Sequence, residues 1–495
     1  MELITLNPVF LHRKSETEWD FQSTSDCKFQ VSIDGGPMTD VDSIPLLGTG
    51  ILKLPDSPRP LPLTIRANPT SSRFWPVQAN FEYQGGGNLV PKLTTDDSDP
   101  DVEDQAFQPP TSVRFPASLP ASLGGTGGAT ACSMQVYLSR VRVVTTKVRE
   151  LLRNVPPQYA GFISPVLQGN AHYVSDRILD DSRKLEFDSL ETVDLDVTGT
   201  TFVFEVAGVP APKLIGCSWP DEVFTHQFAD PTSFLIFFHP HLGQAAADYA
   251  PFPYPFGWSY LFWVLIRDLL YLGDPLTELP GPKGIAYQRA FSKKKVVSLV
   301  PVPSVAREPE MGAFVNAEEM EDLGREIQAF MFRRNRVYEP PGLKRVAVGA
   351  FSNGCGIHMF NLLKNNRDHS FLRLFVKELY LFDPRMKAAE LANELLHWVK
   401  DDPAHKHIRV YMTNNDAAYA SIIDPGFTYP QVPFLKNTDD GLRTLLSTGI
   451  SDWVRAAATA GATKAMQNII NAFGPVHELH PGTLLTHALK HSGFD

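Results

Sequence analysis

The stretch Val346–Phe360 reads VAVGAFSNGCGIHMF. It begins as an apolar strand and continues as a helix. Ser352 falls at the change-over, with Ala350 two residues before it and Gly354 two residues after. Small residues on both sides let a sharp turn close and let the helix pack tightly on its strand. A serine at such a corner has its hydroxyl held at the carboxyl edge of a sheet. The helix that follows points its first amides and its positive end at charge forming near that oxygen. A serine that only caps a helix after a buried strand would leave the same letters, so the surroundings must decide.

On both sides of the corner, strands and helices alternate. TTFVFEV (200–206), SFLIFFHP (233–240), KKVVSLVPV (294–302), KRVAVGAF (344–351), VKELYLF (376–382) and HIRVYMT (407–413) read as strands. Several are almost wholly apolar, as strands covered on both faces require. Between them, NAEEMEDLGREIQAFMFRRN (316–335) is an amphipathic helix with Asn316 as its cap. Asn353–Asn365 and MKAAELANELLHWVK (386–400) read as further helices. Strands alternating with helices of this length predict an α/β fold: a mostly parallel sheet flanked by helices. FGWSYLFWVLIRDLLYL (256–272) is the most apolar run, but Arg267 and Asp268 interrupt it. Its uncharged part is shorter than the roughly 20 residues a bilayer needs, so it reads as a buried helix.

The N-terminal part differs. FQVSI (29–33), ILKL (51–54) and LPLTIRA (61–67) read as short strands, with Asp34–Gly35 as a tight turn. TTDDSDPDVED (94–104) and the Pro-, Ser- and Gly-rich run to Ala131 have the composition of a linker. The acidic run lacks the spacing and central glycine of a calcium loop, and reads as solvated charge. VYLSRVRVVTTKVRELLRNV (136–155) has apolar residues at helical spacing. The expected organisation is a β-rich N-terminal domain over 1–110, a linker and helical segment over 111–190, and an α/β domain over 191–495.

The 495 residues are ample for a large core, and 43% hydrophobic with 20% charged is ordinary for a globular protein. A net charge of −10 argues against nucleic acid or an anionic membrane as the main partner. The four cysteines, Cys27, Cys132, Cys217 and Cys355, form neither a disulfide framework nor a zinc pattern. They read as unpaired thiols of a reducing compartment. The N-terminus shows no signal-peptide pattern, so a cytoplasmic protein without a transmembrane segment is expected.

With the alternation in place, AFSNG (350–354) resembles the nucleophile elbow of the α/β-hydrolase superfamily, with Ala350 where that family usually has glycine. The resemblance extends over roughly residues 195–495. It implies a serine hydrolase, esterase- or lipase-like, with Ser352 as nucleophile. The family takes an oxyanion donor from the loop after its third strand, which matches FFHPHLGQ (237–244). His239 takes the family's histidine position. Pro240 replaces its glycine and has no N–H, which leaves the backbone N–H of His241, with that of Asn353, as the implied oxyanion hole.

Family order then runs acid before histidine. Asp416 is favoured as the acid, Asp383 is the alternative and Asp424 a weaker one. His477 is favoured as the base, with His480 as alternative at the start of a final helix opened by Pro481. His487 and His491 share a face of that helix and read as surface or packing residues. Cys355 reads as packing.

The implied reaction is cleavage of a carboxylic ester through an acyl-enzyme, with no cofactor and no metal. The same triad would serve an acyltransferase or a peptidase, and a fold that had lost activity would be a noncatalytic binding or scaffold protein. DYAPFPYPFGWSYLFW (248–263) is dense in aromatics and prolines and reads either as helix-core packing under the sheet or as an apolar wall for substrate; on the second reading the expected partner is a small-molecule ester with an apolar acyl or aromatic part.

Overall fold

The computed structural model describes residues 7–13, 18–23, 27–44, 49–53, 60–72, 74–84, 89–91, 133–138, 140–144, 200–208, 214–220, 223, 231–240, 284–302, 312–334, 342–384, 386–411 and 480–495. The chain divides into two compact units, Met1–Val143 with Ala329–Tyr338, and Val144–Gln328 with Glu339–Asp495.

The first unit is built of antiparallel strands. They are β1 (Asn7–Arg13), β2 (Glu18–Ser23), β3 (Cys27–Ile33), β4 (Thr39–Asp40), β5 (Asp42–Ile44), β6 (Thr49–Lys53), β7 (Leu61–Pro69), β8 (Val77–Tyr83), β9 (Leu89–Pro91) and β10 (Ser133–Leu138). One five-stranded sheet has the order β10-β1-β2-β6-β5 and the other β4-β3-β7-β8-β9. Strict alternation makes β7: Leu61, Leu63, Ile65 and Ala67 are buried, and the residues between them face outward. The tight turn after β3 has positive φ at Asp34 (54°) and Gly35 (72°), and the Gly36 N–H donates to the Ile33 carbonyl at 3.0 Å.

The helical reading of 136–155 is corrected where the structure describes it. Ser133–Leu138 and Val141–Val143 are strands. Val141 and Val143 are buried around a half-exposed Arg142, a period of two, and β-branched valines suit a pleated surface better than a helix. The acidic run, the linker to Ala131 and Phe256–Leu272 lie outside the described residues.

The eight-stranded sheet adds β11 (Val141–Val143), β12 (Thr200–Val206), β13 (Leu214–Trp219), β14 (Thr232–Phe238), β15 (Val296–Val302), β16 (Leu343–Phe351), β17 (Val376–Phe382) and β18 (His407–Tyr411), in the order β11-β12-β13-β15-β14-β16-β17-β18. β13 pairs antiparallel with β12 and with β15, whereas every pair from β15 through β14, β16 and β17 to β18 is parallel. This is an α/β fold with a mixed, mostly parallel sheet. β13, β14 and β15 are buried throughout their length, which explains their nearly unbroken apolar composition.

Helices connect the parallel strands: α1 (Ile285–Ser292) before β15, α2 (Ala317–Arg334) before β16, α3 (Phe360–Asn365) and α4 (Ser370–Leu374) before β17, and α5 (Ala388–Lys400) before β18. The α2 cap is as expected, since Asn316 Oδ1 accepts the Glu319 N–H at 3.1 Å. The last helix, α6 (His480–Lys490), begins beside Pro481, buries Leu484, Leu485, Ala488 and Leu489, and packs against α1.

The amino edge of the parallel strands holds a buried ion cluster. Glu378 of β17 is fully buried and takes Arg345 of β16 at 2.9 Å on one oxygen. Its other oxygen takes Arg409 of β18 and the Tyr380 hydroxyl, the latter at 3.3 Å. The segment after α6 closes over this cluster. The Gly493 N–H donates to Glu378 at 2.8 Å and Arg409 donates to the His491 carbonyl. Lys294 donates to the Phe494 carbonyl at 2.6 Å, and Lys344 pairs with Asp495. A Cβ on Gly493 would lie 1.9 Å from an Arg345 nitrogen, so only glycine fits there unless Arg345 moves. Removing one partner of such a cluster leaves uncompensated buried charge. Glu378→Ala is expected to lower the free energy of unfolding by about 3–5 kcal/mol in urea titrations. A loss below about 1 kcal/mol, the size of an exposed ion pair, would contradict this account of the edge.

Candidate active site

Ser352 follows the last residue of β16 and has φ 55°. A left-handed backbone at a non-glycine residue costs roughly 1–2 kcal/mol, so the neighbours must hold it. The ladder does so from one side, because the Ser352 N–H donates to the Phe382 carbonyl at 2.9 Å. The turn does so from the other, because the Cys355 N–H donates to the Ser352 carbonyl at 3.2 Å. The helix then runs through a π-helical turn, Cys355–Met359, and continues as α3. Asn353 and Gly354 form the first turn of this helix, so their amides stand at its positive end.

The glycine at 354 is required by close approach. A Cβ there would lie 3.1 Å from the Phe238 carbonyl oxygen and 3.2 Å from that of His239, both backbone atoms at the end of β14. At Gly349 a Cβ would come within 2.9 Å of the Phe237 ring. Small residues around the corner thus let β16, its helix and the end of β14 come together.

The direction of the connections reverses at this edge. The chain leaves β14 toward β15 on one side and leaves β16 toward β17 on the other. The carboxyl ends of β14 and β16 therefore flank a topological switch point, where open α/β sheets bind ligands. Asp383 is next to Ser352 in register, since Phe351 pairs with Phe382 one residue earlier. Asp383 also has a left-handed backbone (φ 42°), its N–H donates to the Tyr411 carbonyl at 2.6 Å, and it is 3% exposed. A serine and a buried carboxylate thus end adjacent parallel strands, which are about 4.8 Å apart.

His239 and Pro240 are buried at the end of β14, and the His239 carbonyl faces Gly354. His358 lies in the π-helical turn with its ring centroid 5.8 Å from that of Phe238. This buried histidine is not legible in the sequence, because a lone histidine in an apolar helix carries no signal. Of the predicted residues, Ser352, Asn353 and Asp383 come together at this edge. His480 opens α6, where its side chain lies outside the described atoms, and His491 is exposed just past that helix. His241, Asp416, Asp424 and His477 lie outside the described residues. So does the segment 248–263.

Cys355, three residues past the serine, is a buried free thiol. Burial pushes its thiol far above the ordinary range, and the Asp383 carboxylate adds to the shift. Its Sγ donates to the Ala350 carbonyl at 3.1 Å. Cys217 is likewise a buried free thiol, raised by burial. Among the described residues, no group of three or more His, Cys, Asp or Glu side chains could hold a metal ion, and no helix is long and apolar enough to cross a membrane.

No protein-family model matches the chain, and no curated protein matches it. Among solved structures, a mutant of the rice cell wall degrading esterase LipA from Xanthomonas oryzae is similar at a TM-score of 0.24 and 8% identity, covering 55% of this chain and 89% of that one. A superposition that loose transfers no residue from one chain to the other.

Two substitutions at the corner should change stability in opposite directions. Ser352→Gly removes the left-handed cost and is expected to raise the unfolding free energy by about 1 kcal/mol. Gly354→Ala pushes against the backbone at the end of β14 and is expected to lower it by about 1–3 kcal/mol. Thermal melts of the two variants beside wild type check both signs.

Proposed function

We propose that this chain is a serine hydrolase that cleaves carboxylic esters. The observation that carries the reading is the left-handed backbone of Ser352 at the carboxyl end of a central strand, with helix amides just beyond it. Strain of this kind in a serine between small residues costs stability. Ser352 is 7% exposed, so the strain fits a hydroxyl fixed in place at a buried corner, and a helix cap has no need of it.

The Ser352 oxygen attacks the acyl carbonyl, and its proton passes to the imidazole of His477, or of His480 in its place. The N–H groups of Asn353 and His241 stabilise the oxyanion. Collapse of the tetrahedral intermediate expels the alcohol, which takes the proton from the imidazolium. Water then attacks the acyl-enzyme, gives up a proton to the same imidazole and releases the acid, restoring Ser352. Asp416 orients the imidazole by family order. Asp383 is the carboxylate that register brings to Ser352, and it is the alternative. The substrate is a small ester with an apolar acyl or aromatic part.

Nitrophenyl esters of increasing acyl length test the reading. Ser352→Ala is expected to lower kcat at least about 10³-fold. Of Asp416→Asn and Asp383→Asn, the true acid should cost a comparable factor and the other little. Equal rates in wild type and Ser352→Ala would eliminate Ser352 as the nucleophile.

A further inference from the structure

We infer that His407 is the proton sensor of a latch at the amino edge of the sheet, where its protonation frees the segment 491–495 from Glu378. The latch does not depend on the chemistry at Ser352.

Glu378 is a fully buried carboxylate whose acceptor sites are all in use. One oxygen takes Arg345 at 2.9 Å and the Gly493 N–H at 2.8 Å. The other takes Arg409 and the Tyr380 hydroxyl, the latter at 3.3 Å. Two carboxylate oxygens offer about four lone-pair sites, so a further donor must displace one of these. Gly493 is the donor most easily given up. It stands on the exposed stretch after α6, whereas Arg345, Tyr380 and Arg409 stand on strands of the sheet.

His407 opens β18 and pairs in register with Glu378. Arg409, two residues on, pairs with Tyr380, so these four residues share one face. The imidazole is half-exposed, and protons reach it from solvent. Its Nδ1 is buried and has no hydrogen-bond partner among the described residues. A buried polar atom without a partner is costly, and a buried charge without one far more so. The imidazolium has two N–H donors, and the carboxylate opposite it in register is Glu378. The groups that face His407 are Glu378 from β17, Arg345 from β16, Arg409 on its own strand and His405 in the loop before it. That loop also carries Asp402 and Lys406, and the stretch after α6 brings exposed Lys490, His491 and Asp495. One carboxylate between two guanidiniums is already net positive, and a proton on His407 adds to that charge.

Burial holds His407 below the ordinary imidazole value. Glu378 acts against that shift, and Arg409, Arg345 and His405 act with it. Released, the ring regains its ordinary value of about 6.5. The latch is therefore complete above about pH 6.5 and is lost as pH falls through that value toward the lower one of the held ring. When Glu378 turns to the imidazolium, the Gly493 N–H loses its acceptor. What then holds the segment is Arg409 at the His491 carbonyl, Lys294 at the Phe494 carbonyl, the Lys295 N–H at the Asp495 carbonyl and the half-exposed Lys344–Asp495 pair.

NMR of the full chain, labelled at histidine rings and glycine amides, follows both ends of the latch through a pH titration. The His407 ring and the Gly493 amide are expected to change with one shared midpoint, below about 6.5. Exchange of the Gly493 amide, corrected for its intrinsic pH dependence, is expected to quicken on the order of 10-fold across that midpoint. In His407→Gln the amide should stay protected throughout, and in His405→Gln and His491→Gln the transition should remain. A Gly493 amide that does not change as His407 titrates, or that changes with a different midpoint, overturns the inference in the wild-type chain alone. So does a transition that survives in His407→Gln, or one that His405→Gln or His491→Gln abolishes.

Discussion

The backbone of Ser352 is held in a conformation that a serine does not choose for itself. At φ 55° it ends β16 and begins a helix within one residue. Two hydrogen bonds hold that state, and two glycines leave room around it. The ladder bond to Phe382 and the turn bond from Cys355 fix the peptide groups on either side. Gly354 lets the helix lie against the carbonyls ending β14, and Gly349 makes room for the Phe237 ring. Strained residues cost of order 1–3 kcal/mol and survive only where their surroundings over-determine them. The small residues around the serine are the sequence expression of that requirement.

The two edges of the parallel strands solve different problems. The carboxyl edge brings together a strained serine, a buried aspartate and the start of a helix, at the point where the connections of β14 and β16 diverge. The amino edge is closed by Glu378, Arg345 and Arg409, whose charges satisfy one another and hold down Gly493 and His491. Between them lie strands so thoroughly buried that neither edge can shift without repacking the core. α6 is held at both ends. Its tail belongs to the ion cluster, and its first turn is tied to α1 through Gln288.

Much of this was legible in the sequence. β12 is the stretch TTFVFEV, and β14 to β18 fall within a residue or three of their apolar runs. Strands covered on both faces leave an unmistakable composition. The Ser352 corner was legible because it joins two such signals across one polar residue, and the start of α6 because proline opens it. β13 is not legible in the sequence, since Gly216, Cys217 and Ser218 dilute its apolar pattern. The valines of 136–143 fit both a helical and an alternating period, and pairing with other strands decided for the latter. The left-handed backbone of Asp383 could not be read, because Asp-Pro signals a turn without saying which carboxylate ends beside which serine. Nor could the Gln288–Pro481 contact, whose partners lie 193 residues apart.

A fluorophosphonate probe reports most directly on whether the strained serine is a nucleophile. Treatment of the native protein followed by peptide mapping by mass spectrometry should find one adduct per chain, on Ser352, and none once the protein is unfolded before treatment. A native chain that acquires no adduct, or carries it on another residue, would contradict the account.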